Sequence, residues 1–435
     1  MVDFAVNKLR KIFKRKIVKR GFMGKFKDLK FNIQYSNIHI FYWFILAAST
    51  IYVVPLLRVK GFQASQIGMI LSANYIGAIV SQVIISHFAD KYSRILTLKK
   101  ILICLCLISL PLSIIFYIND FNFVITIIIY FIFGSTINGT ITYINAIATR
   151  FMDIGRTVYY SYARGFGSIA WGVGSVIISY CVEAKNVEII MVIQAVMIVL
   201  MMIAVFLLEP IPEKKIAQQG EDAVIVHSYW YLFRNCIGFD FFLIASMLLF
   251  IGYTLQTTFL VDIVSNVGGG NVELGYIELV QSICELLPAI LYIVMIKKVS
   301  TNNILRISAV FAFLMTMFVM LSKNVNHLLL LQICDIFGFG MYWPTSVAFV
   351  YKEIEKHDWV KGQALVSVCS LGVGGVLGTI ISGNVVQEVG IDGLLRVSTL
   401  LAGLGVVFMF IGMHFSSRKD SKKMCMSQTT VMSEL

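Results

Sequence analysis

Several ionisable residues stand inside long apolar stretches of the chain. Arg164 lies in the run 158–181, and the carboxylic acids Glu278, Glu285 and Asp335 lie in two later runs. A charge is costly in an apolar environment, so such residues indicate a binding site or a proton pathway by default. Burial disfavours the charged form of a carboxyl and a nearby arginine favours it, so a carboxyl that meets both environments in turn can load and release a proton. Glu285, Asp335 and Glu278 are therefore candidates for proton coupling.

Arg164 and Trp171 are candidates for binding a solute. Their spacing of seven residues places them on one face of a helix, two turns apart. A guanidinium offers five donors in a fixed fork, and an indole offers a flat apolar platform. The alternative is that Arg164, about 9 Å inside a span that begins near residue 158, extends to the lipid headgroups instead.

Neutral polar side chains accompany these charges. Gln281 lies on the same helix face as the two glutamates of the run 273–296, and Asn138 and Asn145 share a stripe of the run 121–148. Taken singly, such residues more often form helix–helix hydrogen bonds than bind ligands. Together they indicate a cavity lined by hydrogen-bonding groups and aromatic rings, which suits a sugar, a nucleoside or a small aromatic acid.

Membrane-spanning helices must position these residues. The 435 residues are 58% hydrophobic and 14% charged, with a mean hydropathy of +0.82, whereas soluble domains average about 45–50% apolar and about 25% charged. A spanning helix needs about 20 apolar residues. Twelve runs are long enough, at 37–57, 66–87, 95–118, 121–148, 158–181, 187–208, 236–262, 273–296, 303–322, 326–350, 361–388 and 392–414.

We therefore predict an all-α membrane protein with twelve transmembrane helices in two six-helix halves. The longest internal hydrophilic stretch, 209–235, divides the runs six and six. "WGVGSVI" at 171–177 matches "LGVGGVL" at 371–377, as expected of an internal repeat. The predicted segments are a basic N-terminal segment at 1–35, the two halves at 36–208 and 236–414, a central cytoplasmic loop at 209–235 and a cytoplasmic tail at 415–435.

The net charge of +12 is distributed as in a membrane protein. With the N-terminus in the cytoplasm, 30 of the 36 Lys and Arg residues fall in cytoplasmic segments, which predicts a plasma-membrane protein with both termini cytoplasmic. The same distribution argues against nucleic-acid binding and indicates contact with the bilayer. The basic segment 1–35 is either an amphipathic helix on the cytoplasmic leaflet or a disordered tail.

The loop after the second run carries a recognisable charge motif. In "SHFADKYSRILTLKK", at 86–100, Asp90, Lys91 and Arg94 resemble the cytoplasmic loop motif of the major facilitator superfamily. Serines stand at 86 and 93, where that superfamily often has glycine. The resemblance implies that this loop links helix ends and helps to hold the cytoplasmic gate. Ordinary positive-inside loop charge is the alternative.

Two apolar runs resemble proton symporters of the lactose-permease type. "ARGFGSIAW" at 163–171 is similar to their fifth span, and "CELLPAI" at 284–290 is similar to their eighth. The resemblance implies that Arg164 hydrogen-bonds solute hydroxyls and pairs with a carboxylate, that Trp171 stacks on the solute ring, and that Glu285 takes part in recognition and coupling. A structural Glu–Arg pair between the halves is the alternative.

The chain departs from that type in two places. The glutamate that partners the span-five arginine is absent from span four, and the proton-carrying histidine and glutamate are absent from span ten. These departures put lactose itself in doubt. Arg164 would need another partner, and Glu285 or Asp335 is the natural candidate.

We conclude that the sequence predicts a monomeric proton-coupled symporter of a small-molecule solute, of the lactose-permease or phenylpropionate- and nucleoside-permease type. The alternatives are a drug or metabolite efflux antiporter on the same fold, a non-transporting membrane component and a glycan-lipid flippase. No enzyme signature is present. The sequence has no Walker loop and no Cys/His cluster for a metal, so we expect no cofactor beyond the coupling proton.

Overall fold

The computed structural model describes residues 28–91, 97–212 and 229–433. For residues 83–91 and 419–433, and at a few single positions, it describes the backbone alone. The first half of the described chain consists of α1 (Asp28–Thr50), α2 (Val53–Val59), α3 (Ala64–Lys91), α4 (Leu98–Ile118), α5 (Phe123–Phe133), α6 (Thr140–Asp153), α7 (Tyr160–Ala184) and α8 (Ile189–Leu207). A π-helical turn, Gly134–Asn138, joins α5 to α6.

The second half, in its described residues, also consists of helices joined by short turns. It consists of α9 (Tyr229–Asn235), α10 (Ile237–Thr258), α11 (Leu260–Asn266), α12 (Asn271–Cys284), α13 (Leu287–Met295), α14 (Thr301–Leu321), α15 (Val325–Phe337), α16 (Phe339–Glu353), α17 (Trp359–Ser367) and α18 (Gly374–Ser433). A 3₁₀ turn (Lys356–Asp358) precedes α17, and a π-helical turn (Val368–Val373) joins α17 to α18.

Within the described ranges, nine helical stretches are long and apolar enough to cross a membrane, if α5–α6, α15–α16 and α17–α18 each count as one stretch. The number is ten if the bent pair α1 and α2 also counts as one span. The predicted eighth span is instead two shorter helices, α12 and α13. The predicted last two spans run together in α18, where Gly390 interrupts the helix at φ 74° and ψ −170°. A side chain rarely adopts that φ, so glycine allows the turn there. The count of twelve stays a prediction.

Helix ends follow local sequence signals. Asn122 and Asn324 cap α5 and α15, and Thr97 and Ser300 cap α4 and α14, each by accepting a backbone N–H with the side-chain oxygen. We call the membrane face at which α1 begins the terminal face, and the opposite face the distal face. The capped ends of α5 and α15 lie at the distal face.

Three of the predicted segments contain helical residues, and their boundaries stay predictions. Residues 28–35, assigned to the N-terminal segment, already belong to α1, because the helix continues past the apolar run. Residues 415–433, assigned to a tail, continue α18, and residues 229–235 of the predicted central loop form α9. Residues 1–27 and 213–228, which contain most of the basic segment and of the central loop, lie outside the described residues.

Glycines set the closest helix contacts. A Cβ on Gly134 would lie 1.8 Å from the backbone oxygen of Asn74, so α3 and the π-helical turn can touch only because residue 134 has no side chain. Small residues allow such approaches between membrane helices. Gly172 of "ARGFGSIAWGVG" has the same role, because a Cβ there would lie 2.9 Å from Cδ1 of Leu279 on α12.

Candidate functional site

Arg164 lies one turn inside α7, and its side chain extends away from the terminal face. Its Nη1 donates to Ser168 Oγ at 2.8 Å, one turn farther along the helix. Its guanidinium carbon stands 3.8 Å from the ring centroid of Trp43 on α1. Side chains on a helix normally lean toward its N-terminus. The observed direction is thus opposite to the one that contact with the terminal-face headgroups requires.

Trp171 lies two turns farther along α7 and bridges the halves. Its Nε1 donates to Glu278 Oε2 of α12 at 2.8 Å, and its ring meets that of Trp43 edge-on at 6.2 Å between centroids. Glu278 is 9% exposed and is therefore buried in the interface between the halves. The indole N–H that a solute could have used is already engaged in this state.

Glu285 lies at the break between α12 and α13. Pro288 explains the break, because it has no N–H to donate to the carbonyl of Cys284 and its ring crowds that carbonyl. The Glu285 side chain is exposed, although it stands in the middle of the predicted eighth span. Because Glu285 also interacts electrostatically with Arg164 of the first half, this exposure indicates an open space between the halves at that depth.

Asp335 lies at a second break, in the last turn of α15. The next helix begins at Phe339, and its first backbone N–H faces the Asp335 carboxylate, a favourable position for a negative charge. The side chain is 3% exposed, and its Oδ1 has no hydrogen-bond partner among the described residues. Gln281 also faces this carboxylate and donates to Tyr253 Oη at 3.0 Å.

The two breaks pack against each other. A Cβ on Gly340, in the first turn of α16, would lie 2.4 Å from Cγ of Pro288. Glu285 consequently interacts electrostatically with both Asp335 and Glu278. The structure thus gathers three carboxylates from two broken spans in one region of the second half.

Arg164 faces this carboxylate cluster from the first half. Its guanidinium interacts electrostatically with Glu285, and Leu286 packs beside Gly165 across the interface. Among the described side chains, no carboxylate oxygen lies within the 4.0 Å ion-pair distance of Arg164. In this state the guanidinium of Arg164 therefore contacts the Trp43 ring, and it lies close to Glu285 without pairing with it.

The two predicted asparagines bond to other residues of the first half. Asn138 donates to the side-chain oxygen of Asn74 on α3, and Asn145 Oδ1 accepts from Tyr160 Oη at 3.3 Å. Both partners belong to the first half. Asn138 lies in the π-helical turn, which changes the helical phase, so a stripe counted at regular α-helical spacing does not continue through it.

Polar contacts join the halves at the distal face. Arg58 pairs with Asp262 through both of its terminal nitrogens, Nη1 and Nη2, with Nη2 2.7 Å from Oδ2. Tyr52 Oη donates to the backbone oxygen of Asn271 at 2.9 Å, and Asn271 Nδ2 donates to Glu183 Oε2 at 2.7 Å. These contacts lie on the distal side of the Trp171–Glu278 bond.

The apolar core also joins the two halves at the distal side. One cluster of buried side chains unites the first half with distal residues of the second half, such as Leu255, Phe259 and Leu274. A separate cluster, which includes Phe239 and Phe349, fills the terminal side of the second half alone. The halves therefore pack together distally and have separate cores near the terminal face, so the space around Glu285 opens toward the terminal face.

The predicted gating loop cannot be placed in this arrangement. Asp90 and Lys91 end α3, but their side chains are outside the described set, and Arg94 lies outside the described residues altogether.

The described residues contain no group of three or more His, Cys, Asp or Glu side chains that could bind a metal ion.

The sequence reasoning missed Trp43 as a partner of Arg164 and missed both helix breaks. Pro288 was a readable signal for the first break, since a proline inside a helix removes a hydrogen bond. Gly338 and the following glycine at 340 were a weaker signal for the second. Trp43 and Arg164 lie on separate helices, so no local sequence pattern predicts their contact.

Comparisons with known proteins concern the family and the fold. Residues 32–396 match the family model described as "MFS_1 like family". A sequence comparison with curated proteins found no match.

Similar solved structures are transporters. The nucleoside transporter NupG superposes with a TM-score of 0.73 at 19% identity, covering 88% of this chain and 98% of that one. A variant of NupG gives 0.71 at 18% identity, covering 88% and 99%. A bacterial homologue of the human lysosomal transporter Spinster, solved in an inward-facing and unoccupied conformation, gives 0.60 at 12% identity, covering 89% and 96%. At these identities the likeness concerns the fold alone.

Proposed function

Since the chain belongs to the MFS_1 like family, a family of membrane transporters, we propose that it is a proton-coupled symporter that takes up a small polar solute by alternating access. One observation carries the proposal. Glu278, Glu285 and Asp335 are gathered in two broken spans, and Glu285 of this cluster interacts electrostatically with Arg164 of the other half. Discontinuous helices at the interface of two repeats are a common way to build a solute and ion site in transporters.

The proton is carried by the carboxylate cluster in this proposal. Glu285 is exposed to the space between the halves, and Asp335 is buried beside it. Protonation of Glu285 removes its attraction for Arg164 and leaves the guanidinium donors to the solute. Release of the proton restores that attraction, and the proton gradient thereby drives accumulation.

The carboxyl groups beside Arg164 favour a neutral, hydroxylated solute. The carboxylate of an aromatic acid would compete with Glu285 for the one arginine of the site. A sugar or a nucleoside adds none, and the rings of Trp43 and Trp171 provide aromatic surface near Arg164. The likeness to a nucleoside transporter makes nucleosides the first solutes to assay.

Alternating access requires the distal contacts to open while the terminal side closes. The present arrangement corresponds to the state that is open to the terminal face, which we take to be the cytoplasmic side because 30 of the 36 Lys and Arg residues fall there. We propose a plasma-membrane location with both termini cytoplasmic and a monomer as the working unit.

Uptake into proteoliposomes tests the proposal. Radiolabelled uridine, adenosine, a disaccharide and a phenylpropionate are offered with and without an inwardly directed proton gradient. We expect gradient-driven accumulation of a nucleoside or the sugar. Glu285→Gln should abolish accumulation and leave exchange of external for internal solute, because a fixed neutral side chain cannot carry the proton.

Glu388→Gln serves as the matched control, because Glu388 is an exposed glutamate at the distal end of the second half. This variant should accumulate solute like the unmodified protein. If Glu285→Gln concentrates solute normally, the assignment of coupling to this cluster is wrong. Proton-driven flux in the opposite direction would identify an efflux antiporter instead.

A further inference from the structure

The guanidinium of Arg164 is a partly buried cation with few partners among the described residues. Its single recorded hydrogen bond within the described chain is the one to Ser168. The other side of its environment is the ring of Trp43, with 3.8 Å between the guanidinium carbon and the ring centroid. This distance is well within the range of a cation–π contact, for which about 6 Å is the usual limit.

The Trp43 ring packs closely against residues of α1 and α7. A Cβ on Gly167 would lie 2.3 Å from Trp43 Cδ1, so the ring fills the space that a side chain at position 167 would take. Tyr42 and Trp171 meet the same ring edge-on, at 5.5 Å and 6.2 Å between centroids. The orientation of the ring is therefore determined by packing from α1 and α7.

A stacked aromatic ring differs from a carboxylate partner because it leaves the N–H donors of the arginine available. A carboxylate that bound Arg164 bidentately would occupy two of its in-plane N–H donors. An aromatic face attracts the cation perpendicular to that plane and uses none of them. With one donor bonded to Ser168, the remaining donors stay available.

From this geometry we propose that Trp43 is a positioning residue. It holds Arg164 extended in the cavity through its ring and replaces the carboxylate partner that this arginine lacks. The solute then meets a cation whose hydrogen-bond donors are already aimed and unoccupied. This inference rests on the proposed function only in assigning Arg164 to solute binding. The stacking itself is independent of transport.

A double-mutant cycle tests the contact without any solute. Unfolding of the purified protein by SDS in mixed micelles is measured for the unmodified chain, Trp43→Leu, Arg164→Gln and the double variant. We expect the two substitutions to be non-additive by about 2- to 30-fold in the unfolding equilibrium constant, the range for a cation stacked on an aromatic face.

Two further variants make the cycle specific. Trp359→Leu removes a tryptophan of the other half, which packs on Tyr351, and should be additive with Arg164→Gln. Trp43→Phe keeps an aromatic face and should retain most of the coupling even if Trp43→Leu unfolds. Additive effects of Trp43→Leu and Arg164→Gln, or equal coupling for Trp359, would overturn the proposal.

Uridine uptake tests the positioning role. Trp43→Leu should raise the KM for uridine about 2- to 30-fold with a nearly unchanged maximal rate, because solute binding is weakened while the reorientation of the halves is not. Trp43→Phe should restore the KM to within about 3-fold, by the same reasoning. A fall in maximal rate at constant KM would contradict positioning. An unmodified protein that transports none of the four solutes would refute the proposed function, and the stability cycle would still decide the role of Trp43.

Discussion

The ion pair between Arg58 and Asp262 should bias the protein toward the state that is closed at the distal face. Asp262→Asn removes the negative charge that Nη1 and Nη2 of Arg58 contact across the halves. The pair is present only while the distal contacts are formed, so its loss raises the free energy of the closed state and leaves the open one unchanged. The population that is open at the distal face should increase.

The exposure of the two side chains sets the size of the effect. Arg58 is 40% exposed and Asp262 is 16% exposed, so water and salt screen the pair substantially. Exposed pairs contribute about 0.2–1 kcal/mol, which corresponds to about 1.4- to 5-fold in the ratio of the two states. Because the Debye length falls to about 3 Å in 1 M salt, the difference between the unmodified protein and the variant should shrink there.

Cysteine accessibility measures this ratio. Ser179 is fully buried in the distal contact, so Ser179→Cys in a chain without other cysteines reacts only when the contact opens. A membrane-impermeant maleimide is applied to vesicles of both orientations. Asp262→Asn and Arg58→Gln should each accelerate labelling from the distal side about 1.4- to 5-fold. The exchanged pair Arg58→Asp with Asp262→Arg should restore the slow rate.

Lys60→Gln is the control for loss of charge at the distal face. Lys60 pairs with Asp120 and Glu188, all within the first half. Partial burial opposes its charge, but these pairs outweigh that cost and raise its pKa. Its removal should leave the labelling rate unchanged. Equal acceleration in Lys60→Gln, or fast labelling of the exchanged pair, would refute a specific role for the Arg58–Asp262 pair.

Two glycine substitutions test close contacts at the site. Gly167→Ala places a Cβ 2.3 Å from Trp43 Cδ1, so it should displace the ring and raise the KM for solute. Gly165→Ala is the control, because the nearest neighbour of its Cβ would be 3.7 Å away, and this variant should transport normally. Gly340→Ala places a Cβ 2.4 Å from Cγ of Pro288 and should destabilise the protein by about 1–3 kcal/mol, measured as a lower melting temperature in detergent. A melting temperature for Gly340→Ala as high as that of Gly165→Ala would show that the two helix breaks do not pack as described.

The helical runs were predictable because hydrophobicity is a local property. The run 158–181 became α7 (Tyr160–Ala184), and the run 187–208 became α8 (Ile189–Leu207), within a few residues at each end. The prediction was least accurate where a helix is interrupted. Length and apolar content do not distinguish one continuous helix from α12 and α13, because the break depends on one backbone hydrogen bond near Pro288.

The sequence indicated candidate site residues more readily than it indicated their contacts. Glu278, Glu285 and Asp335 were recognisable because a carboxylic acid in an apolar run is costly, and the structure brings them together. Asn138 and Asn145 had the same general polarity, but they bond within the first half. Polarity alone does not separate a helix–helix hydrogen bond from a cavity-lining group.

The amino-acid sequence by itself determined that the chain is a bundle of membrane helices in two related halves, because apolar run length and charge distribution act segment by segment. Only the tertiary structure decided which partner Arg164 meets. Trp43 stands more than a hundred residues away on α1, and its ring reaches Arg164 because Gly167 leaves room for it. The tertiary structure likewise decided that the halves touch at the distal face, because that contact depends on the packing of whole helices against one another.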